Sequence, residues 1–279
     1  MESLVSTQWL ADALGSPGLV VLDASAHLPA AGRDAAGEFA AAHIPGARFL
    51  DLKTLTDPDN PVPAAPPTRA QFAARMAALG VTGQQRVVLY DDSAMRTAAR
   101  AWFLLRLFGV EAAVLDGGMA RWRAEGRPTQ HGAVEVEASP FASRGGTGTI
   151  RFKTEMLANI DSRAEQVVDA RDAPRFRGDE PDIRPNMPSG HIPNSRNLPF
   201  GEVLNADGTF KDEAGIRAAF AGAGIDLDRP VVATCGSGVT ASVLLFALHL
   251  IGKDAALYDG SWSDWGADPA MPVATGPAA

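Results

Sequence analysis

The chain of 279 residues contains one cysteine, Cys235, at a position where a reactive thiolate is expected. The apolar run 231–234 before it is typical of a strand, and the apolar run 241–248 after it is typical of a helix that ends at Gly252. Unpaired N–H groups at a helix N-terminus favour an anion, so they stabilise the thiolate form of a cysteine placed there. We therefore predict that Cys235 is a nucleophile and that the loop after it cradles negative charge. The predicted cradle consists of Gly236, Ser237, Gly238, Val239 and Thr240.

Two other cysteine chemistries lack the partner that they need. A cysteine phosphatase carries an arginine after five intervening residues, where this chain has Ala241. A papain-like protease needs a histidine base, and the second half of the chain offers only His191 and His249, the latter within an apolar helix. A single thiol also excludes an intrachain disulfide and a multi-thiolate metal centre. We expect neither a bound metal nor a cofactor.

The overall charge and hydropathy argue against several broad functions. The chain has 25 Lys and Arg against 33 Asp and Glu, so its formal charge of -8 provides no basic field for nucleic acid. No apolar run approaches the roughly 18 residues that would span a bilayer. The first cationic residue is Arg33, so the positive region of a secretory signal is missing. We expect a cytoplasmic protein that binds neither nucleic acid nor a membrane.

An internal repeat organises the sequence. Five segments of the first half recur in the same order in the second half, at nearly constant separation, which indicates duplication. The matched segments are 20–24 with 166–170, 43–45 with 191–193, 79–81 with 223–225, 86–91 with 230–235, and 116–117 with 259–260.

Each copy alternates apolar strands with helical segments, which predicts an α/β fold of two tandem domains, each a parallel sheet with helices on both faces. The segment 126–150 contains Pro128, Pro140 and a glycine-rich run without periodicity, so we interpret it as a linker. The two predicted domains are therefore 1–125 and 151–279.

These segments resemble the tandem-domain rhodanese-like sulfurtransferases and, within that family, the 3-mercaptopyruvate sulfurtransferases. The hexapeptide 235–240, Cys-Gly-Ser-Gly-Val-Thr, is the most specific element. Relatives that use thiosulfate typically carry basic residues at its second and third positions, whereas Gly236 and Ser237 match the mercaptopyruvate type. Two departures, Asn194 after His-Ile-Pro and Pro174 before Arg-Phe, are expected to alter a turn. The other segments of the resemblance are 22–25, 33–35, 38–39, 43–47, 116–118, 168–171 and 189–193.

The resemblance implies a sulfur-transfer cycle in two half-reactions. Cys235 would take the sulfur of 3-mercaptopyruvate as a persulfide and release pyruvate, while Arg175 and Arg184 hold the carboxylate and ketone of the donor. Because the chain has no second cysteine, the sulfur acceptor must be external: thioredoxin, a small thiol or, in the test tube, cyanide. The first domain has Asp91 at the position of Cys235, and since a carboxylate cannot accept sulfur, that domain is predicted to be catalytically silent.

A relay to the cysteine loop has been suggested for some members of this family. Ser237 and His43 match its serine and histidine, and Asp34 is the candidate acid. A structural role for His43 is the alternative, because the His-Ile-Pro segment recurs in both copies. Two other functions remain open: a sulfurtransferase that uses thiosulfate, and a non-enzymatic persulfide carrier or sensor. The remaining arginines near the site, Arg171 and Arg177, are expected to form ion pairs.

Overall fold

A computed structural model describes residues 2–142 and 145–278. Within these ranges the chain forms two compact units, each built on a five-stranded sheet. The first unit comprises residues 2–58, 66–148 and 206–209, and the second comprises 59–65, 149–205 and 210–278.

The first unit is an α/β sheet in which every pairing between named strands is parallel, with the strand order β1-β5-β4-β2-β3. Its elements are β1 (Leu4–Val5), α1 (Thr7–Ala13), β2 (Leu19–Asp23), α2 (Ala35–Ala41), β3 (Arg48–Phe49), α3 (Arg69–Ala78), β4 (Arg86–Tyr90), α4 (Ala98–Leu107), β5 (Ala112–Leu115) and α5 (Gly118–Ala124).

The second unit repeats this topology, with the parallel strand order β6-β10-β9-β7-β8. The predicted α/β fold with two tandem parallel sheets is thus confirmed. The elements of this unit are β6 (Thr149–Arg151), α6 (Lys153–Ser162), β7 (Gln166–Asp169), α7 (Ala173–Arg177), β8 (Arg196–Asn197), α8 (Glu213–Gly222), β9 (Val231–Thr234), α9 (Ala241–Leu250), β10 (Ala256–Tyr258) and α10 (Ser261–Trp265).

Burial explains why the central strands and one helix were readable as apolar runs. All four residues of β9 are buried, as are the last four of β4, because helices cover a parallel sheet from both sides. Helix α9 is buried along its first eight residues, which matches its apolar character on every face. The buried strand β9 and the buried helix α9 hold the two ends of the loop that begins at Cys235.

The segment interpreted as a linker is hydrogen-bonded to the first unit. Gln130 exchanges two backbone hydrogen bonds of 2.8 Å with His43, and the indole of Trp122 donates to Pro128 O at 2.8 Å. Strand β6 begins at Thr149, so two of its residues also lie in that segment.

The second unit closes in the same way. His191 and Ala274 exchange backbone hydrogen bonds of 2.8 and 2.9 Å, and Trp265 donates to Pro272 O at 2.8 Å. We call the segments 128–132 and 272–276 the return arms. The duplication therefore extends beyond the matched strands into these two arms.

The turn after His-Ile-Pro is the same in both copies. Gly46 has φ +74° and Asn194 has φ +65°, and in each copy the next residue donates its N–H to the isoleucine carbonyl. Asparagine tolerates this left-handed conformation better than most residues, and its amide donates to Ile160 O at 3.0 Å. The expectation that Asn194 alters the turn was therefore wrong.

Candidate functional site

The thiol of Cys235 lies at the carboxyl end of β9, directly before the loop that leads into α9. The residue is 1% exposed. In parallel α/β sheets, ligands bind outside the carboxyl ends of the strands, so Cys235 stands at an edge where binding sites are expected. The hydroxyl of Ser261 supports the loop, because it accepts the N–H groups of Cys235 and Gly238, both at 3.1 Å, and donates to Tyr258 O at 2.8 Å.

Several backbone N–H groups in and next to the predicted cradle have no acceptor within the described residues. Within the described residues, no protein acceptor binds the N–H groups of Gly236, Ser237, Val239, Thr240 or Ala241. Gly238 takes part differently: its N–H is bound by Ser261, and its φ of +76° bends the loop. Donors at the start of a helix suit an anionic ligand, so the geometry is compatible with the predicted cradle.

The carbonyl of Gly236 is a second fixed point of the loop. It accepts the N–H of Ser263 at 2.9 Å, the hydroxyl of Ser263 at 2.6 Å and Nη1 of Arg184 at 3.0 Å. A Cβ atom at position 236 would lie 2.5 Å from Nη2 of Arg184 and 3.6 Å from Nη2 of Arg175. Glycine at this position therefore leaves room for the guanidinium of Arg184, while that of Arg175 lies at an ordinary contact distance from the same loop.

Arg175 and Arg184 converge on the same carboxylate. Arg175 belongs to α7, Arg184 follows it in the loop to β8, and Asp182 lies 3.6 Å from Nη2 of Arg175 and 3.3 Å from Nε of Arg184. Burial lowers the pKa of the Arg184 guanidinium, and attraction to Asp182 opposes this change. The structure thus brings together the cysteine loop and the two arginines that the resemblance implied.

The two remaining arginines of this region form ion pairs, as expected. Arg171 is buried and donates to both oxygens of Asp169, with a shortest distance of 2.7 Å. Burial opposes its charge, but attraction and hydrogen bonding to Asp169, together with weaker attraction to Asp182 and Cys235, raise the pKa of the Arg171 guanidinium. Arg177 pairs with Asp179 at 2.6 Å near the surface. The return arm holds the base of the arginine loop, because Gly276 donates to Arg177 O at 2.8 Å.

The corresponding loop of the first unit is filled by its own side chain. The carboxylate of Asp91 accepts the N–H of Ser93 at 2.9 Å and the N–H of Ala98, at the start of α4, at 2.7 Å. Burial raises the pKa of Asp91 to about 6. Gly118 stands where the second unit has Ser261, and a Cβ atom there would collide with the carbonyl of Asp91.

The candidate relay residues of the first unit are engaged in local structure. His43 is fully buried, stacks on Phe39 with ring centroids 4.1 Å apart, and donates through Nδ1 to Phe39 O at 2.7 Å. His191 stacks on Phe176 and binds its carbonyl in the same way. Asp34 caps α2 by accepting the N–H of Ala36 at 3.2 Å.

No hydrogen bond or ion pair joins Asp34 to His43 in the part of the chain that the structure describes. A relay through these two residues and Ser237 therefore remains a prediction.

Three residues of the site were absent from the sequence prediction: Asp182, Ser261 and Ser263. Ser261 has φ +51° and corresponds to Gly118, which has φ +56°. A serine in place of a glycine at such a backbone position was a signal available from aligning the two copies. Ser263 had no such signal, because it contacts Arg184 across 79 positions. Asp182 lies in the same loop as both arginines, but the sequence does not distinguish it from the other acidic residues there.

The two sheets have the same topology, so the molecule is a duplicated α/β protein. Only the second sheet carries a cysteine, and two arginines lie beside its loop. The sequence pattern of the rhodanese-like domain matches residues 6–125 and 152–268. The chain belongs to the rhodanese family, with two tandem copies of its domain, and it is a sulfurtransferase.

Relatives of known name share nearly the whole chain. The chain is 41% identical over 272 residues to the 3-mercaptopyruvate sulfurtransferase of Rattus norvegicus, covering 95% of this chain and 92% of the relative. It is 38% identical over 274 residues to the thiosulfate sulfurtransferase of Cricetulus griseus, with the same coverage. The crystal structure of SseA, a 3-mercaptopyruvate sulfotransferase from Escherichia coli, superposes with a TM-score of 0.85 at 34% identity, covering 94% of this chain and 99% of that one.

Two negative findings concern the described residues only. No helix among them is long and apolar enough to cross a membrane. No cluster of three or more His, Cys, Asp or Glu side chains among them could hold a metal ion.

Proposed function

We propose that the protein moves sulfur from 3-mercaptopyruvate to an external thiol through a persulfide on Cys235, and that pyruvate is the other product. The observation that carries the proposal is the approach of Arg175 and Arg184 to Gly236, the residue after the cysteine. A planar guanidinium binds a carboxylate through two parallel hydrogen bonds, and the donor presents a carboxylate next to its ketone. The name of the rat relative supports the same donor.

The first half-reaction needs only groups that the second unit provides. The thiolate of Cys235 attacks the donor sulfur, an S–S bond forms, and the carbon–sulfur bond breaks. Its electron pair leaves as the enolate of pyruvate, which takes up the proton that the sulfur releases. The N–H groups of the loop without a protein acceptor stabilise the charge on the terminal sulfur of the persulfide.

The second half-reaction needs a partner from outside the chain. Cys235 is the only cysteine, so no intramolecular disulfide can release the sulfur. We assign the acceptor role to thioredoxin or a small thiol, with cyanide as a laboratory substitute, and place the reaction in the cytoplasm, where thiols stay reduced. Residues 151–279 are assigned the catalytic role and residues 1–125 a silent one, because Asp91 occupies its own loop.

Mass spectrometry of the intact protein tests this function. After exposure to 3-mercaptopyruvate, the wild type should carry one added sulfur atom and release one equivalent of pyruvate, whereas Cys235→Ser should do neither. Sulfur addition that persists in Cys235→Ser would refute the assignment. A larger kcat/KM with thiosulfate would establish the alternative donor. Loading only from the persulfide of another protein would establish a carrier instead of an enzyme.

A further inference from the structure

We propose that Asp182 determines which donor the site accepts, by neutralising one of the two guanidinium groups beside Cys235. The site then retains one positive charge, which suits a donor with a single negative charge and disfavours the thiosulfate dianion. This inference rests on the proposed function, because it assumes that Arg175 and Arg184 bind the donor.

The position of Asp182 shows that its carboxylate belongs to the site. Its side chain is 1% exposed. Oδ1 accepts the backbone N–H of Arg184 at 3.0 Å and lies 3.3 Å from Nε of the same residue. Oδ2 points to the other arginine, 3.6 Å from Nη2 of Arg175. One carboxylate is therefore shared between two cations that both approach Gly236.

The contact with Arg175 is incomplete. Oδ2 of Asp182 and Nε of Arg175 are both buried, and neither has a hydrogen-bond partner within the described residues. A buried polar atom without a partner costs free energy, so Nε of Arg175 is stabilised when a ligand supplies an acceptor. The carboxylate of a bound donor would supply the missing acceptor to Arg175, while Asp182 keeps Arg184 in place.

The charges around the loop support the same conclusion. Arg171 is committed to Asp169 through both carboxylate oxygens, so it contributes no free cation. Asp172 lies 3.6 Å from Nε of Arg175, but its side chain is 55% exposed, and water screens its charge. Apart from the thiolate of Cys235, which every donor meets, two guanidinium groups and one buried carboxylate remain, so the arginines and Asp182 together contribute one positive charge. The loop residues Gly236 and Ser237 add no charge of their own.

The variant Asp182→Asn distinguishes the effect of the negative charge of Asp182 from that of its hydrogen bond to the backbone of Arg184. Its amide oxygen can still accept the N–H of Arg184, so the turn in the loop is retained, while the negative charge is lost. The matched control is Asp179→Asn, which removes the same charge from the same loop. Asp179 is 55% exposed and contacts Arg177, outside the site.

The measurement is kcat/KM for thiosulfate and for 3-mercaptopyruvate in wild type and both variants, at two ionic strengths. In Asp182→Asn the ratio of thiosulfate to 3-mercaptopyruvate should rise roughly tenfold or more, and less at high salt, because a like charge has been removed from the path of the dianion. Asp179→Asn should stay within about twofold of wild type.

Two results would overturn the inference: a ratio in Asp182→Asn within about twofold of wild type, or equal losses with both donors, which would indicate a purely structural role. Inhibition by pyruvate and by sulfate provides a readout without turnover. The ratio of their inhibition constants should shift toward sulfate in Asp182→Asn. A wild type that is inactive with 3-mercaptopyruvate would instead refute the proposed function, so the two failures are distinguishable.

Discussion

The loop after β4 and the loop after β9 share a scaffold, but they differ in which backbone donors are occupied. In the first unit, the carboxylate of Asp91 binds two N–H groups of its own loop. In the second unit, Cys235 stands at that position and five N–H groups have no acceptor among the described residues. The comparison teaches that one scaffold can present this loop with its backbone donors either occupied or free. The reactive site that we propose lies in the copy whose loop leaves these N–H groups without an acceptor.

The surroundings of the two loops changed together with that residue. Asp23 in the first unit corresponds to Asp169 in the second. The residue two positions after Asp23 is Ser25, which donates its N–H to the Asp23 carboxylate at 2.8 Å. The residue two positions after Asp169 is Arg171, whose guanidinium donates to the Asp169 carboxylate. Burial raises the pKa of Asp23, and no guanidinium of the described residues is bound to it. Both units place a guanidinium at the carbonyl of the residue after the loop position, Arg33 at Asp92 and Arg184 at Gly236. In the first unit the carboxylate of Asp92 binds Arg33 and Arg123, whereas glycine at position 236 has no side chain to occupy Arg184.

The largest expected effect concerns the charge of Asp91. Burial raises its pKa from the ordinary 3.8 to about 6 in the folded protein, so Asp91 loses its proton at lower pH in the unfolded chain. The contribution of protonated Asp91 to the stability of the folded protein is fully present below pH 3.8. It is lost as the pH rises through 6, and the free energy of unfolding falls by about 3 kcal/mol. Asp91→Asn should lack this loss. Urea unfolding between pH 4 and 7 measures the difference, and equal pH dependence in both proteins would contradict it.

The next effect concerns Arg175 and Arg184, the two arginines beside the cysteine loop of the second unit. Arg175→Ala or Arg184→Ala removes charge-assisted hydrogen bonds to the donor of about 1.5 to 3 kcal/mol, or about 10- to 150-fold in kcat/KM for 3-mercaptopyruvate. Arg177→Ala is the control, because Arg177 pairs with Asp179 outside the site. Steady-state kinetics checks both. A comparable loss in Arg177→Ala would mean that general charge, and not binding, is responsible.

A smaller effect is expected from making the second unit resemble the first at one position. Ser261→Gly leaves the N–H groups of Cys235 and Gly238 without their acceptor, and the loop loses its support. We expect kcat to fall about tenfold with little change in KM, because Ser261 supports the nucleophile without binding the donor.

The matched control for this variant is Ser195→Ala, which removes another buried hydroxyl, one that donates to Ile192 O at 2.6 Å. It should affect stability without changing kcat. If kcat is unchanged in Ser261→Gly as well, the support of the loop by Ser261 has no part in the reaction.

Sequence reasoning was accurate where one short segment carries the whole signal. The buried runs of β4 and β9 are apolar throughout, and the cysteine loop combines a thiol, glycines and a helix start within a few residues. The edge strands β1, β3 and β8 have two residues each, which is too short for any periodicity to show. The hydroxyl of Ser263 contacts Arg184 across 79 positions, and such pairings depend on the folded chain.

The return arms have a consequence for the order in which the protein is made. Gln130 pairs with His43 in the first unit, and Ala274, 144 positions later, pairs with His191 in the second. At a synthesis rate of about 5 to 20 residues per second, the first pairing can form roughly 7 to 30 s before the second, which is ample time for a small domain to fold. Cys235 itself precedes Ala274 by 39 positions. For about 2 to 8 s, the growing chain therefore carries its one thiol in a half whose fold is unfinished.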